Sequence, residues 1–258
     1  MFEALHAGLG WPVAMTLLSL SFASSFITVA FGIGGGAIML AVMATLLPAA
    51  AIIPVHGLVQ VGSNAGRLAL MARYVQPHVI GPFAIGSLAG VLLGGSIIVQ
   101  LEPAWIQIGV GSFILWTIVS TPPAFLRKSA MMTGGFSSFL TMFFGGTGPF
   151  VASFVRALDL ERHKHVATHA MLMTMQHVLK TITFGFLGFA FSSWLGLIAL
   201  LIAFGFLGTI LGRMVLSRIN ERRFKLALNV ILTVLALRLI YAGASELWMG
   251  GGSTGSLN

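Results

Sequence analysis

The side chains with chemical potential in this sequence are few, and they stand inside long apolar runs. His56, His169 and His177 are the residues of those runs that titrate near neutral pH, which makes them the candidates for proton coupling. Arg67 and Lys180 are cations on otherwise apolar segments, where an ionised group normally faces a cavity or a partner. No Asp or Glu lies within any of these runs to neutralise them, so an anionic ligand is the natural counter-charge. Gln60, Asn64 and Gln176 add amide groups that can donate to an oxyanion or bond a neighbouring helix. The chain has no cysteine, which excludes disulfides, thiolate metal sites and a cysteine nucleophile.

Two glycine-rich stretches accompany these residues. "FGIGGG" contains Gly34, Gly35 and Gly36, and "FGGTGP" contains Thr147 and Gly148. Each interrupts an apolar run without bringing a charge, and each precedes the start of a short helix. The segments after them, Ala37–Leu47 and Pro149–Leu158, would be only ~15–17 Å long at 1.5 Å per residue. They cannot cross a hydrocarbon core of about 30 Å alone. Such a break in hydrocarbon is tolerated where protein or a watery cavity surrounds it. The N–H groups and positive dipole end of a helix start would then face that cavity, a setting that favours an anion. The glycine pairs Gly90/Gly94 and Gly208/Gly212 have a plainer reading, the close packing of membrane helices.

The elements that must position these groups follow from composition. The chain has 258 residues, 57% of them hydrophobic and 8% charged, far below the roughly one-quarter charge of soluble domains. An all-α polytopic membrane protein is expected, without a cleaved leader, since Met1–Gly10 lacks a basic start. The net charge of +8 reads as cytoplasmic loops rather than a nucleic-acid surface. The hydrophilic stretch 121–129 divides two similar halves, 1–120 and 130–243, and residues 244–258 read as a flexible tail. The offset that carries Gly35 onto Gly148 also carries His56 onto His169, Asn64 onto His177 and Arg67 onto Lys180. Each half is expected to hold a broken-helix hairpin and three transmembrane helices, about ten helical segments in all. If each hairpin enters and leaves on one side, the Lys and Arg residues of the loops collect on one face. Glu3, Glu102 and Glu246 then fall on the other. The second half is thereby inverted, and both termini lie outside the cytoplasm.

The runs "FITVAFGIGGGAIMLAVMATLL", "RYVQPHV" and "GSLAGVLLGGSIIV" resemble the TauE/SafE sulfite exporter family, and "FLTMFFGGTGPFVASFVRAL" resembles its duplicated half. The resemblance implies a bacterial inner-membrane transporter, an exporter of sulfite or small organosulfonate anions in a lipid bilayer, needing no cofactor and no nucleic acid. The inverted symmetry would bring the two glycine tips together near the midplane, where they and the cations are expected to hold that anion. The chain departs from an even duplication at Thr147 and Pro149, which stand where half one has Gly34 and Gly36, and in its cluster "ERHKHVATH". That cluster supports an alternative, a divalent-metal transporter, because imidazole suits zinc or nickel. The missing carboxylates and Lys180 weigh against it. An intramembrane enzyme is less favoured still, for lack of H-E-x-x-H, G-x-S-x-G or a carboxylate pair.

Overall fold

In a computed structural model, residues 2–31, 34–98, 102–215 and 221–251 are described, and every regular element among them is helical. A short α1 (Phe2–His6) precedes α2 (Trp11–Phe31), α3 (Gly35–Leu46), α4 (Ala49–Met71), α5 (Ile80–Ile98) and α6 (Pro103–Val119). The second half holds α7 (Ala130–Phe144), α8 (Gly148–Ala157), α9 (Arg162–Phe186), α10 (Leu195–Val215) and α11 (Glu221–Gly251). In an apolar medium a chain must satisfy its own backbone, and helices do this within one segment. Four of them are long and apolar enough to cross a bilayer, over Trp11–Val29, Pro77–Ile98, Phe191–Gly212 and Asn229–Trp248. This is a multi-pass membrane protein.

The helix ends follow local rules. Leu47 is extended, as a residue before proline must be, and Pro48 then caps α4. Pro103 opens α6, where a missing N–H costs nothing. The Ser129 hydroxyl accepts from the Met132 N–H at 3.2 Å and caps α7, whose other end is closed by Gly145 at φ 70°. As the sequence predicts, the helices after the two glycine tips are short, at 12 and 10 residues. Residues 244–251 are helical, so α11 runs into the stretch expected to be a flexible tail. The helix continues because Glu246, Leu247 and Trp248 are good helix residues and glycine becomes dense only after Met249. Gly32 and Ile33 of the first tip, and residues 252–258, lie outside the described residues.

The helices pair across the two halves. α5 lies along α7, α2 along α10, α4 along α9 and α6 along α11. Exchanging the halves turns the first pair into the second and leaves the other two unchanged. The close pairs depend on glycine: a Cβ on Gly90 would strike the Gly135 carbonyl of α7, and one on Gly208 the Phe22 carbonyl of α2. Gly94 and Gly212 face the same partners, so both pairs serve packing. α4 and α9 are long, at 23 and 25 residues, yet they fall outside the four apolar spans because of their polar residues. Pairing them at the centre takes those residues away from lipid: His56, Asn64, Gln176 and His177 are all buried. The stretch between the halves is pinned rather than loose. Leu126 is fully buried with Phe113 and Phe150, and its carbonyl accepts from the Thr133 hydroxyl at 2.6 Å.

Candidate anion site

Both glycine tips reach one cavity of about 70 Å³ between α4 and α9. Gly34 and Gly36 line it from the first tip, and Gly145, Gly146 and Gly148 from the second. The wall from α4 is formed by His56, Gln60, Asn64 and Arg67, and that from α9 by His169, Met173 and His177. These spacings of three and four residues put each set on one helix face.

Each tip is held by a histidine. His56 Nε2 lies 3.1 Å from the Gly36 carbonyl oxygen, and His169 Nε2 lies 3.5 Å from that of Gly148. A carbonyl only accepts and an amide NH2 only donates, so the Gly36 contact needs the proton on His56 Nε2 and the Gln60 contact needs it on Nδ1; the tautomer decides which of the two bonds forms. The Nδ1 atoms of His56 and His177 are buried with no hydrogen-bond partner among the described residues, and the two rings stand edge to face, 6.1 Å apart. Gln60 Nε2 lies 3.2 Å from His56 Nε2.

The cation of the cavity is Arg67. Its Nη2 donates to Asn64 Oδ1 at 2.6 Å, and Asn64 Nδ2 donates in turn to the Gln60 carbonyl at 2.8 Å. Asn64 therefore has both ends engaged and aims the guanidinium. The sequence offers Arg67 and Lys180 as matched cations of the two halves, and the structure sets them differently. Arg67 is buried at 7% exposure and lines the cavity, whereas Lys180, at 0%, lies against Gly57 of α4 and does not line it. Among the described residues its Nζ has no hydrogen-bond partner.

Gln176, Thr147 and Gly35 stand behind the cavity wall. Gln176 donates to Thr147 Oγ1 at 2.6 Å and accepts from the Ser137 hydroxyl at 2.8 Å, which ties the second tip to α7. Gly35 faces α2, where a Cβ would strike the Ser24 carbonyl and the Thr28 hydroxyl. Gly148 instead has room, since its added Cβ would meet only Met173 Cε at 3.8 Å. Sequence reasoning missed Thr28, Gly145, Gly146 and Met173 as lining residues. The signal was available for Met173, which occupies the position in half two that Gln60 occupies in half one. Of the cluster "ERHKHVATH", His169 lines the cavity while His163 packs on Tyr74 with ring centroids 5.4 Å apart. Among the described residues no group of three or more His, Cys, Asp or Glu is placed to hold a metal.

A family model described as sulfite exporter TauE/SafE matches residues 17–239, from the first turns of α2 to well within α11. The chain belongs to the TauE/SafE sulfite exporter family. Both glycine tips, both central helices and the whole cavity fall within the match, so the site of this TauE/SafE chain is built from the family's own segments. No curated protein and no solved structure matches the chain.

Proposed function

We propose that the chain exports sulfite or a small organosulfonate of similar bulk across a bacterial inner membrane, holding it in the cavity between α4 and α9. The observation that carries this reading is a positive, carboxylate-free cavity at two helix starts: Arg67 faces it, and Gly34, Gly36 and Gly148 line it. The first amides of a helix have no intrahelical acceptor and carry the positive end of its dipole, so they favour an oxyanion. The size of the cavity supports the small end of the substrate range. A cavity of roughly 150 Å³ holds benzene with its six carbons, and this one is about half as large. Sulfite has four heavy atoms, and an organosulfonate adds a carbon tail. His56, His169 and His177 are the groups through which a proton would be coupled to the anion.

The test is flux of radiolabelled sulfite in proteoliposomes of the purified chain, with methanesulfonate and taurine as competitors. Saturable sulfite flux, inhibited more by methanesulfonate than by taurine, is expected. Absence of saturable sulfite flux in correctly folded protein overturns the reading.

A further inference from the structure

Matched pairs of the two halves bear on the cavity, and the cavity does not use them evenly. Three matched pairs line it with both members: His56 with His169, Gln60 with Met173, and Asn64 with His177. Gly36 and Pro149 make a fourth. At Thr28 and Arg67 only the first-half member lines it, while among the tip glycines Gly148 lines it and its counterpart Gly35 does not. Thr28 lines the cavity, while its counterpart Thr141 is fully buried with its hydroxyl donated to the Gly145 carbonyl at 3.2 Å. Arg67 lines it, while its counterpart Lys180 is fully buried and its amine has no partner among the described residues.

A lysine that spends a transport cycle in that position is costly, because a buried ionisable group without a partner loses its hydration and gains nothing. Lys180 also has a seat that a single methyl would spoil: a Cβ on Gly57 would stand 2.6 Å from its Cε. In transporters built from inverted repeats, one half rocks against the other around a fixed central site.

We propose that Lys180 is the counterpart of Arg67 in a second, oppositely sealed arrangement of the same cavity. In the arrangement described, the cavity runs along α4 to Arg67, and Lys180 rests on Gly57. In the other it runs along α9, Lys180 faces the anion, and Arg67 is sealed. The anion then passes from one cation to the other across a central set of histidines that never leaves it. This deepens the transport reading and rests on it, assigning Lys180 to turnover rather than to the binding state seen.

The absence of cysteine makes the test direct. Thr28→Cys and Thr141→Cys are made separately, with Lys180 retained, and each is treated with a membrane-impermeant methanethiosulfonate from either side of vesicles. Thr28→Cys should react from one face and Thr141→Cys, more slowly, from the opposite face. Adding Gly57→Ala removes the seat of Lys180 and should raise the Thr141→Cys rate and lower the Thr28→Cys rate, each by about tenfold, an ordinary coupling between two states. As a second measurement, Lys180→Gln should keep sulfite binding by calorimetry and lose sulfite flux. The proposal is overturned if Thr141→Cys stays inert from both faces in both backgrounds, if both thiols react from the same face, or if Lys180→Gln transports normally. Wild-type sulfite flux, measured in the same vesicles, separates the two ideas. Flux with an inert Thr141→Cys removes the exchange and leaves the transporter. No flux removes the sulfite reading, while the thiol pattern still decides the exchange.

Discussion

At Arg67 a guanidinium is aimed by two hydrogen bonds in series, from Asn64 to the backbone and from the arginine to Asn64. Arg67→Ala should therefore weaken sulfite binding by about ten- to a hundredfold, the value of a charge-assisted hydrogen bond of roughly 1.5–3 kcal/mol. Asn64→Ala should weaken it less, and Arg67→Lys should recover only part, because a point charge cannot use the fork that Asn64 orients. Calorimetry on protein matched for monodispersity checks all three; unchanged affinity in Arg67→Ala would remove the site's cation. The two tip glycines should separate cleanly. Gly35→Ala should cost folded protein, since its methyl meets the Ser24 carbonyl, and Gly148→Ala should fold and bind more weakly, since its methyl enters the cavity. The comparison is thermal midpoint against affinity, and equal effects on both would refute the distinction. Met173 makes a further difference. It offers no hydrogen bond where Gln60 does, which suits the lone-pair face of pyramidal sulfite better than a fourth oxygen. Met173→Gln should raise the affinity for sulfate relative to sulfite in competition assays.

Among the helices, the close pairs α5 with α7 and α2 with α10 are set by glycine against backbone. Gly90→Leu or Gly208→Leu should cost about 1–3 kcal/mol or more, as overpacking does, and show as a lowered thermal midpoint of the purified protein. An unchanged midpoint would mean that these contacts do not hold the pairs. This part of the fold was legible in the sequence, because small residues four apart in an apolar run have few other uses in hydrocarbon. The helix breaks were legible too, since proline and clustered glycine stop helices for local reasons. The roles of Lys180 and Gln176 were not. Depth in an apolar run says that a charge needs a partner, but whether it faces the cavity depends on how two helices are rotated against each other. Gln176 looked like a ligand donor because nothing in the sequence shows that Ser137 and Thr147 occupy both ends of its amide.

For the molecule as a whole, the basic loops fix the expected orientation. With both termini periplasmic, a single cysteine replacing Glu102 should react with an impermeant thiol reagent from the periplasmic side, and one replacing Arg127 from the cytoplasmic side. Labelling of both from one side would refute the inverted arrangement. The cross-pairing of helices has a consequence for how such a chain can be made. α2 and α5 each find their glycine-bearing partner in the other half, so neither half holds a finished interior of its own. We propose that the division near residue 121 is genealogical rather than mechanical, the trace of a copying event and not a boundary between two separately stable products. On that reading α2 finds its packing partner only once α10 has been synthesised. Residues 1–120 and 121–258 produced separately should be degraded, and produced together in one cell they should assemble and restore sulfite flux. A stable, monodisperse first half on its own would show that the early helices settle without their later partners.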